Sequence, residues 1–146
     1  MRFMVLMIPG SKQGYEAGEM PDPELIGRMM KYNEELGKAG ILLSGDGLHP
    51  SAKGARIAFA GGKSRVTDGP FAEAKELIGG YWVWQVKSKE EAVEWARRCP
   101  AQEGDTLELR QIFEPADFGP DLAVREGALM DEIGKQIEAN KKHPVS

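Results

Sequence analysis

The sequence predicts an α+β domain from three observations: short apolar runs with two-residue alternation, two stretches whose apolar residues recur every three or four positions, and their order along the chain. That order is strand, helix, several hairpin strands, helix, strand. It is the split βαβ pattern of the ferredoxin-like class, with an antiparallel sheet and an extra hairpin inserted in the middle. At 146 residues the chain is long enough for one domain with a real core and short for two.

"RFMVLMI" is an apolar run closed by Pro9-Gly10, which predicts a first strand over residues 2 to 8. Ser11 to Met20 has no period and is expected to be a loop. In "PDPELIGRMMKYNEELGKAG", Asp22 is a natural N-cap, Pro23 suits the first helical position and Gly40 suits the C-cap. Leu25, Met29, Tyr32, Leu36 and Ala39 fall on one face of that helix.

"ILLSGDGLHP" reads as a short strand running into a Gly-Asp-Gly turn, and "GARIAFAGGKSRVTDG" as a hairpin turning at Gly61-Gly62. In "GGYWVWQVKS", Tyr81, Val83 and Gln85 alternate with Trp82, Trp84 and Val86. A strand with bulk on both faces is expected to be central or covered on its second face by a partner. Ser88 followed by Glu91 is a capping box, so a second helix should run from near Lys89 to Pro100 with Ala92, Trp95, Ala96 and Cys99 buried. "TLELRQIFE" is the last strand. Residues Pro115 to Pro120 link it to a tail helix with a modest stripe of Leu122, Leu129, Ile133 and Ile137, weakened by Gly127 and Gly134.

Composition excludes several functional classes. The apolar run at the start is six residues long, against the roughly 18 to 20 needed to span a bilayer, so neither a signal peptide nor a membrane helix is expected. A single cysteine, Cys99, forms no internal disulfide, which together with the missing signal sets a cytoplasmic expectation. With a net charge of −4 and scattered Lys and Arg there is no basic track for nucleic acid. One plausible His, one Cys and no helical ligand pair argue against a metal, and no phosphate-binding glycine motif stands between a strand and a helix. No cofactor is expected.

The residues that could carry chemistry cluster around two turns. Asp68-Gly69-Pro70 reads first as a corner, since Asp accepts from backbone N–H groups, Gly takes positive φ and Pro fixes its own. Its functional reading makes Asp68 a general base at a cleft mouth walled by Phe71. Asp46 and His49, three apart in "SGDGLHP", could form an oriented imidazole, or both could be exposed turn residues. His143 lies in the tail, so a histidine enzyme would use His49. Beyond the corner, Glu73, Lys75 and Glu76 form a charged run in which Lys75 could meet an anionic ligand group.

Residues 1 to 119 resemble the DGPF-domain branch of the YciI-like (YCII-related) family, most specifically through "VTDGPFAEAKELIGGYWVW", with "YNEELGKAGILLSGDGLHP" and "LELRQIFEPADFG" on either side. The tail, 120 to 146, lies outside the resemblance. The resemblance implies a dimeric α/β-barrel, two ferredoxin-like subunits facing each other through their sheets with clefts near the strand ends. It also implies a small-molecule protein, through similarity to muconolactone isomerases and related dehalogenating enzymes. Some members carry a His and an Asp around the first helix, and this chain has no His before His49. The matched positions are Asp68, Gly69, Pro70 and Phe71, with Asp46 and His49. The expected function is therefore ligand binding, with cofactor-independent acid–base chemistry shared by Asp68 and His49 if the protein is catalytic. The alternative is a regulatory module linked to an extracytoplasmic-function sigma factor, an association common in this branch.

Overall fold

The computed structural model describes residues 1–71 and 75–145. Within it the chain forms two compact units, Met1–Ile112 and Phe113–Ser146.

The first unit is a mixed α+β structure with antiparallel sheets. A four-stranded sheet has the order β2-β5-β1-β6, from Leu42–Gly47, Gly80–Gln85, Arg2–Ile8 and Thr106–Gln111, and a separate hairpin pairs β3 (Ala55–Ala60) with β4 (Lys63–Asp68). No closed barrel forms among the described residues. Among the described residues, three α-helices complete the unit: α1 (Lys12–Glu16), α2 (Pro23–Lys38) and α3 (Lys89–Arg97).

The cap chemistry explains where the helices begin and end. The Asp22 carboxylate accepts from the Glu24 N–H at 2.8 Å with Pro23 behind it, which starts α2. Ala39 is the C-cap, and Gly40, one residue later than its expected role, takes φ +75° while Ile41 N–H reaches back to the Leu36 carbonyl. At α3 the Ser88 hydroxyl accepts from the Glu91 N–H, and the Glu91 carboxylate accepts from the N–H of Lys87. The segment expected to be wholly loop contains α1, capped by Ser11; five residues are too few to show a period.

The core lies between one sheet face and helices α2 and α3. Phe3, Val5, Trp82 and Trp84 project from the sheet to meet Tyr32, Leu36 and Ala92. β5 lies between β2 and β1, the central position its two bulky faces predicted. The Tyr32 hydroxyl donates to the Trp95 carbonyl at 2.7 Å and ties α2 to α3, and burial raises its pKa. Trp84 is fully buried, and its Nε1–H has no acceptor among the described residues. Burying roughly 150–250 Å² of indole contributes about 4–6 kcal/mol, which exceeds the roughly 1–3 kcal/mol of an unpaired donor.

The Gly-Asp-Gly stretch is strand, where the sequence suggests a turn. Gly45, Asp46 and Gly47 pair with Trp82, Tyr81 and Gly80 after a register shift between Leu42 and Ser44. Pairing with a strong aromatic strand overrides the local turn preference of glycine.

In the second unit a 3-10 turn, Pro115–Phe118, precedes α4 (Pro120–Lys142). Phe113 and Phe118 pack 5.1 Å apart between ring centres, and Gly119 at φ +84° lets Pro120 open the helix. Val124, Leu129, Ile133 and Ile137 on α4 are exposed.

Leu36 has no exposed surface and anchors α2 to the sheet. Leu36→Ala is expected to cost about 2–5 kcal/mol, read as a lower urea midpoint at unchanged slope.

Candidate functional site

The sheet's helix-facing side has large residues at one end and glycines at the other. Opposed residues in an antiparallel ladder share a face, so Phe3, Trp84 and Leu42 form one row, Val5, Trp82 and Gly45 the next, and Met7, Gly80 and Gly47 the last. The last two rows carry almost nothing on the β2 side. The C-terminal half of α2 seals against the bulky end through Tyr32 and Leu36, whereas Leu25 and Met29 in its N-terminal half are only half-buried.

Beneath that half of α2 is a cavity of about 400 Å³. Its roof is Leu25, Ile26, Met29, Met30 and Asn33 from α2. Its floor is Met7, Trp82 and the glycine backbone of β2 and β5, and Pro9, Tyr15 and the Pro100–Gln102 segment close the sides. The wall is mainly apolar, and the few polar groups are held in place. Asn33 Oδ1 accepts from Trp82 Nε1–H at 2.8 Å. The Tyr15 hydroxyl lies in hydrogen-bond reach of the Leu48 and Gly79 carbonyls, and burial, then the neighbouring Glu16, raises its pKa. The Asp105 carboxylate accepts from Gly10 N–H and Gln102 N–H, both at 2.9 Å, and pins the side loop. Burial, then Asp105, pushes the Cys99 thiol up to about 11, so at neutral pH it stays a thiol, not a thiolate nucleophile.

Asp46 borders this cavity through its backbone, because strand alternation turns its side chain to the opposite sheet face. There its carboxylate accepts from the Tyr81 hydroxyl at 2.9 Å, a bond that raises the Tyr81 pKa. His49 is exposed beyond the end of β2.

The Asp68–Phe71 corner lies elsewhere, docked on a 3-10 turn at Ser51–Lys53. Gly69 lies so close to that turn that an added Cβ would stand 1.7 Å from the Ser51 carbonyl oxygen, which no side chain can satisfy. The peptide between Gly69 and Pro70 is cis. Phe71 N–H donates to the Ser51 hydroxyl at 3.0 Å, Ser51 N–H and hydroxyl both donate to the Glu16 carboxylate, and the Arg56 guanidinium lies 4.1 Å from the Phe71 ring centre. Asp68 closes β4 opposite Ala55, its carboxylate exposed and without a hydrogen-bond partner among the described residues. Pro70 borders a second, shallower hollow with Lys12, Gln13 and Glu16. Lys75 is exposed, and Glu73 lies outside the described residues.

Of the residues singled out from the sequence, the structure thus sets Gly69 and Phe71 of the corner against Ser51, two residues after His49, and turns the Asp46 side chain to the sheet face opposite the cavity. Asn33, Tyr15, Gln102 and Asp105 escaped sequence reading. Asn33 carried one usable signal: it stands four residues after Met29, a polar side chain inside the apolar stripe of α2. Among the described residues, no group of three or more His, Cys, Asp or Glu stands where it could hold a metal, and no helix is long and apolar enough to cross a membrane.

A Cβ on Gly45 would lie 2.8 Å from Trp82 Cδ1, whereas one on Gly47 meets nothing within 4 Å. Gly45→Ala should therefore cost about 1–3 kcal/mol by thermal denaturation, and Gly47→Ala should stay within about 0.5 kcal/mol of the parent. The bonds from Ser51 hold the Glu16 carboxyl below its ordinary pKa, with Lys12 adding to the effect and burial opposing it. A lowered folded-state pKa gives stability that is complete above the unfolded-state value and is lost as pH falls through the folded one. The parent's urea midpoint should drop more steeply on acidification than that of Ser51→Ala; identical acid limbs would show that the pair contributes nothing.

None of the curated proteins compared with the chain matches it. The YCII-related domain matches residues 1–116, which takes in the whole sheet, the hairpin, the cavity and the DGPF corner, and the chain belongs to the YCII-related family.

Proposed function

We propose that the protein binds a small molecule in the cavity beneath α2, working as a cytoplasmic homodimer of ferredoxin-like subunits. The observation that carries this reading is the bare glycine floor: the sheet keeps a hollow of about 400 Å³ where ordinary side chains would have filled the core. The strand order β2-β5-β1-β6, with α2 and α3 as the two crossovers, supports the ferredoxin-like description. The second sheet face, with Met4, Leu6, Tyr81 and Val83 half-exposed, supports twofold pairing through the sheets.

Asp68 and His49 do not line this cavity, which favours binding over acid–base turnover there. A second reading keeps them as a proton-transfer pair at the corner, with Asp46 near the strand end and Gly69, Pro70, Phe71 and Lys75 shaping the ligand site. What favours it is the packing of Gly69 against Ser51, two residues after His49, and an exposed Asp68 carboxylate with no hydrogen-bond partner among the described residues.

A thermal-shift screen against a metabolite library separates the two. A native-state ligand at a hundredfold excess over its Kd stabilises by about 2.7 kcal/mol. Gly47→Leu, whose side chain would enter the hollow, should keep its circular dichroism spectrum and lose the shift, while Asp68→Asn and His49→Ala should retain it. Loss of the shift in those two variants, with Gly47→Leu unaffected, would move the site to the corner.

A further inference from the structure

The lining of the cavity has a charge character that narrows what can enter. Among the described residues, no Lys, Arg or His borders it. The cations of α2 that flank the roof, Arg28 and Lys31, are exposed and stand outside the lining. The positive end of α2 is already answered by the Asp22 cap and by Glu24 in its first turn. The carboxylate that borders the hollow on this side of the sheet is that of Asp105, with both oxygens engaged by backbone N–H groups, and the Gly79 carbonyl beside Tyr15 adds the negative end of a dipole. An anion placed here would give up its hydration without finding a cation, a cost of several kcal/mol.

Asn33 supplies an unspent donor in the wall. Trp82 Nε1–H can only donate, so Asn33 must present Oδ1 to it, which leaves Nδ2 as a free pair of hydrogens. Nδ2 has no acceptor among the described residues, and Asn33 belongs to the cavity lining. The same lining holds Met7, Met29, Met30 and the indole of Trp82, polarisable groups that suit a flat ring.

We propose that the cavity selects an uncharged, ring-containing ligand and excludes carboxylates, sulfonates and phosphates. The inference rests on the cavity being the ligand site and adds its selectivity.

The test uses two fluorescent probes with the same aromatic skeleton, N-phenyl-1-naphthylamine, which is neutral, and 1-anilinonaphthalene-8-sulfonate, which is anionic. Both are titrated against the parent protein, Gly47→Leu and Met30→Lys; Met30 is two-thirds exposed at the cavity rim, so a lysine there is compatible with the fold. The parent should prefer the neutral probe by on the order of 100-fold, equivalent to a charge left unpaired on burial. Gly47→Leu should lose the neutral probe, and Met30→Lys should cut the preference at least tenfold by supplying the missing cation. Equal binding of both probes by the parent, lost together in Gly47→Leu, would overturn the selectivity and leave the site standing. Neutral-probe binding untouched by Gly47→Leu, or no binding of either probe, would overturn the site and the selectivity with it.

Discussion

The indole of Trp82 lies over Gly45, and much of the domain depends on that contact. Any β-carbon at Gly45 would stand 2.8 Å from Trp82 Cδ1, so the ring keeps its place only because the neighbouring strand has no side chain there. From that position the indole donates to Asn33, meets Tyr32 edge-on at 6.3 Å and leans on Trp84 at 6.1 Å. One side chain therefore ties α2 to the sheet, holds an amide at the cavity wall and separates the packed half of the interior from the hollow half. Packing and vacancy are two consequences of the same large-against-small pairing.

The phase of β2 matters as much as its composition. Without the register shift between Leu42 and Ser44, strict alternation would place Leu42, Ser44 and Asp46 on the helix face and send the glycines outward. The extra residue at Leu43 inverts this. Gly45 and Gly47 come under α2, and Asp46 turns to the open face beside Tyr81. A carboxylate that would have entered the cavity is removed from it by one inserted residue. The bare, uncharged floor of the hollow on the β2 side is thus a property of backbone register.

Most of the fold was legible because its signals are local. Asp22 with Pro23, Ser88 with Glu91, and the alternation in "YWVW" each specify an element through neighbours in the chain, and the structure has those elements there. The dual bulk of β5 also foretold its central place. Two kinds of feature were not legible. α1 is a single short segment whose Tyr15 and Glu16 gain their partners at Leu48, Gly79 and Ser51, more than thirty positions away. The "SGDG" stretch looks like a turn by composition, and only pairing with Tyr81 and Trp82 makes it strand. The cavity was hidden for a related reason: it is made by what glycines lack, and pattern reading counts side chains that are present.

The DGPF corner shows how far a specific sequence motif can be accounted for by architecture. Gly69 is fixed by its approach to the Ser51 carbonyl, and Phe71 by Arg56 above its ring and Ser51 below its N–H. Ser51 is itself held by Glu16 of α1, the helix whose Tyr15 closes one side of the cavity. The corner, the 3-10 turn and α1 form one hydrogen-bonded chain that ends at the cavity wall. A structural role for Gly69 and Phe71 and a binding role for the hollow are therefore compatible, since the motif secures the segment that positions Tyr15. Asp68 is the member of the motif that this chain of bonds leaves unused, and any chemistry at the corner would have to begin from its carboxylate.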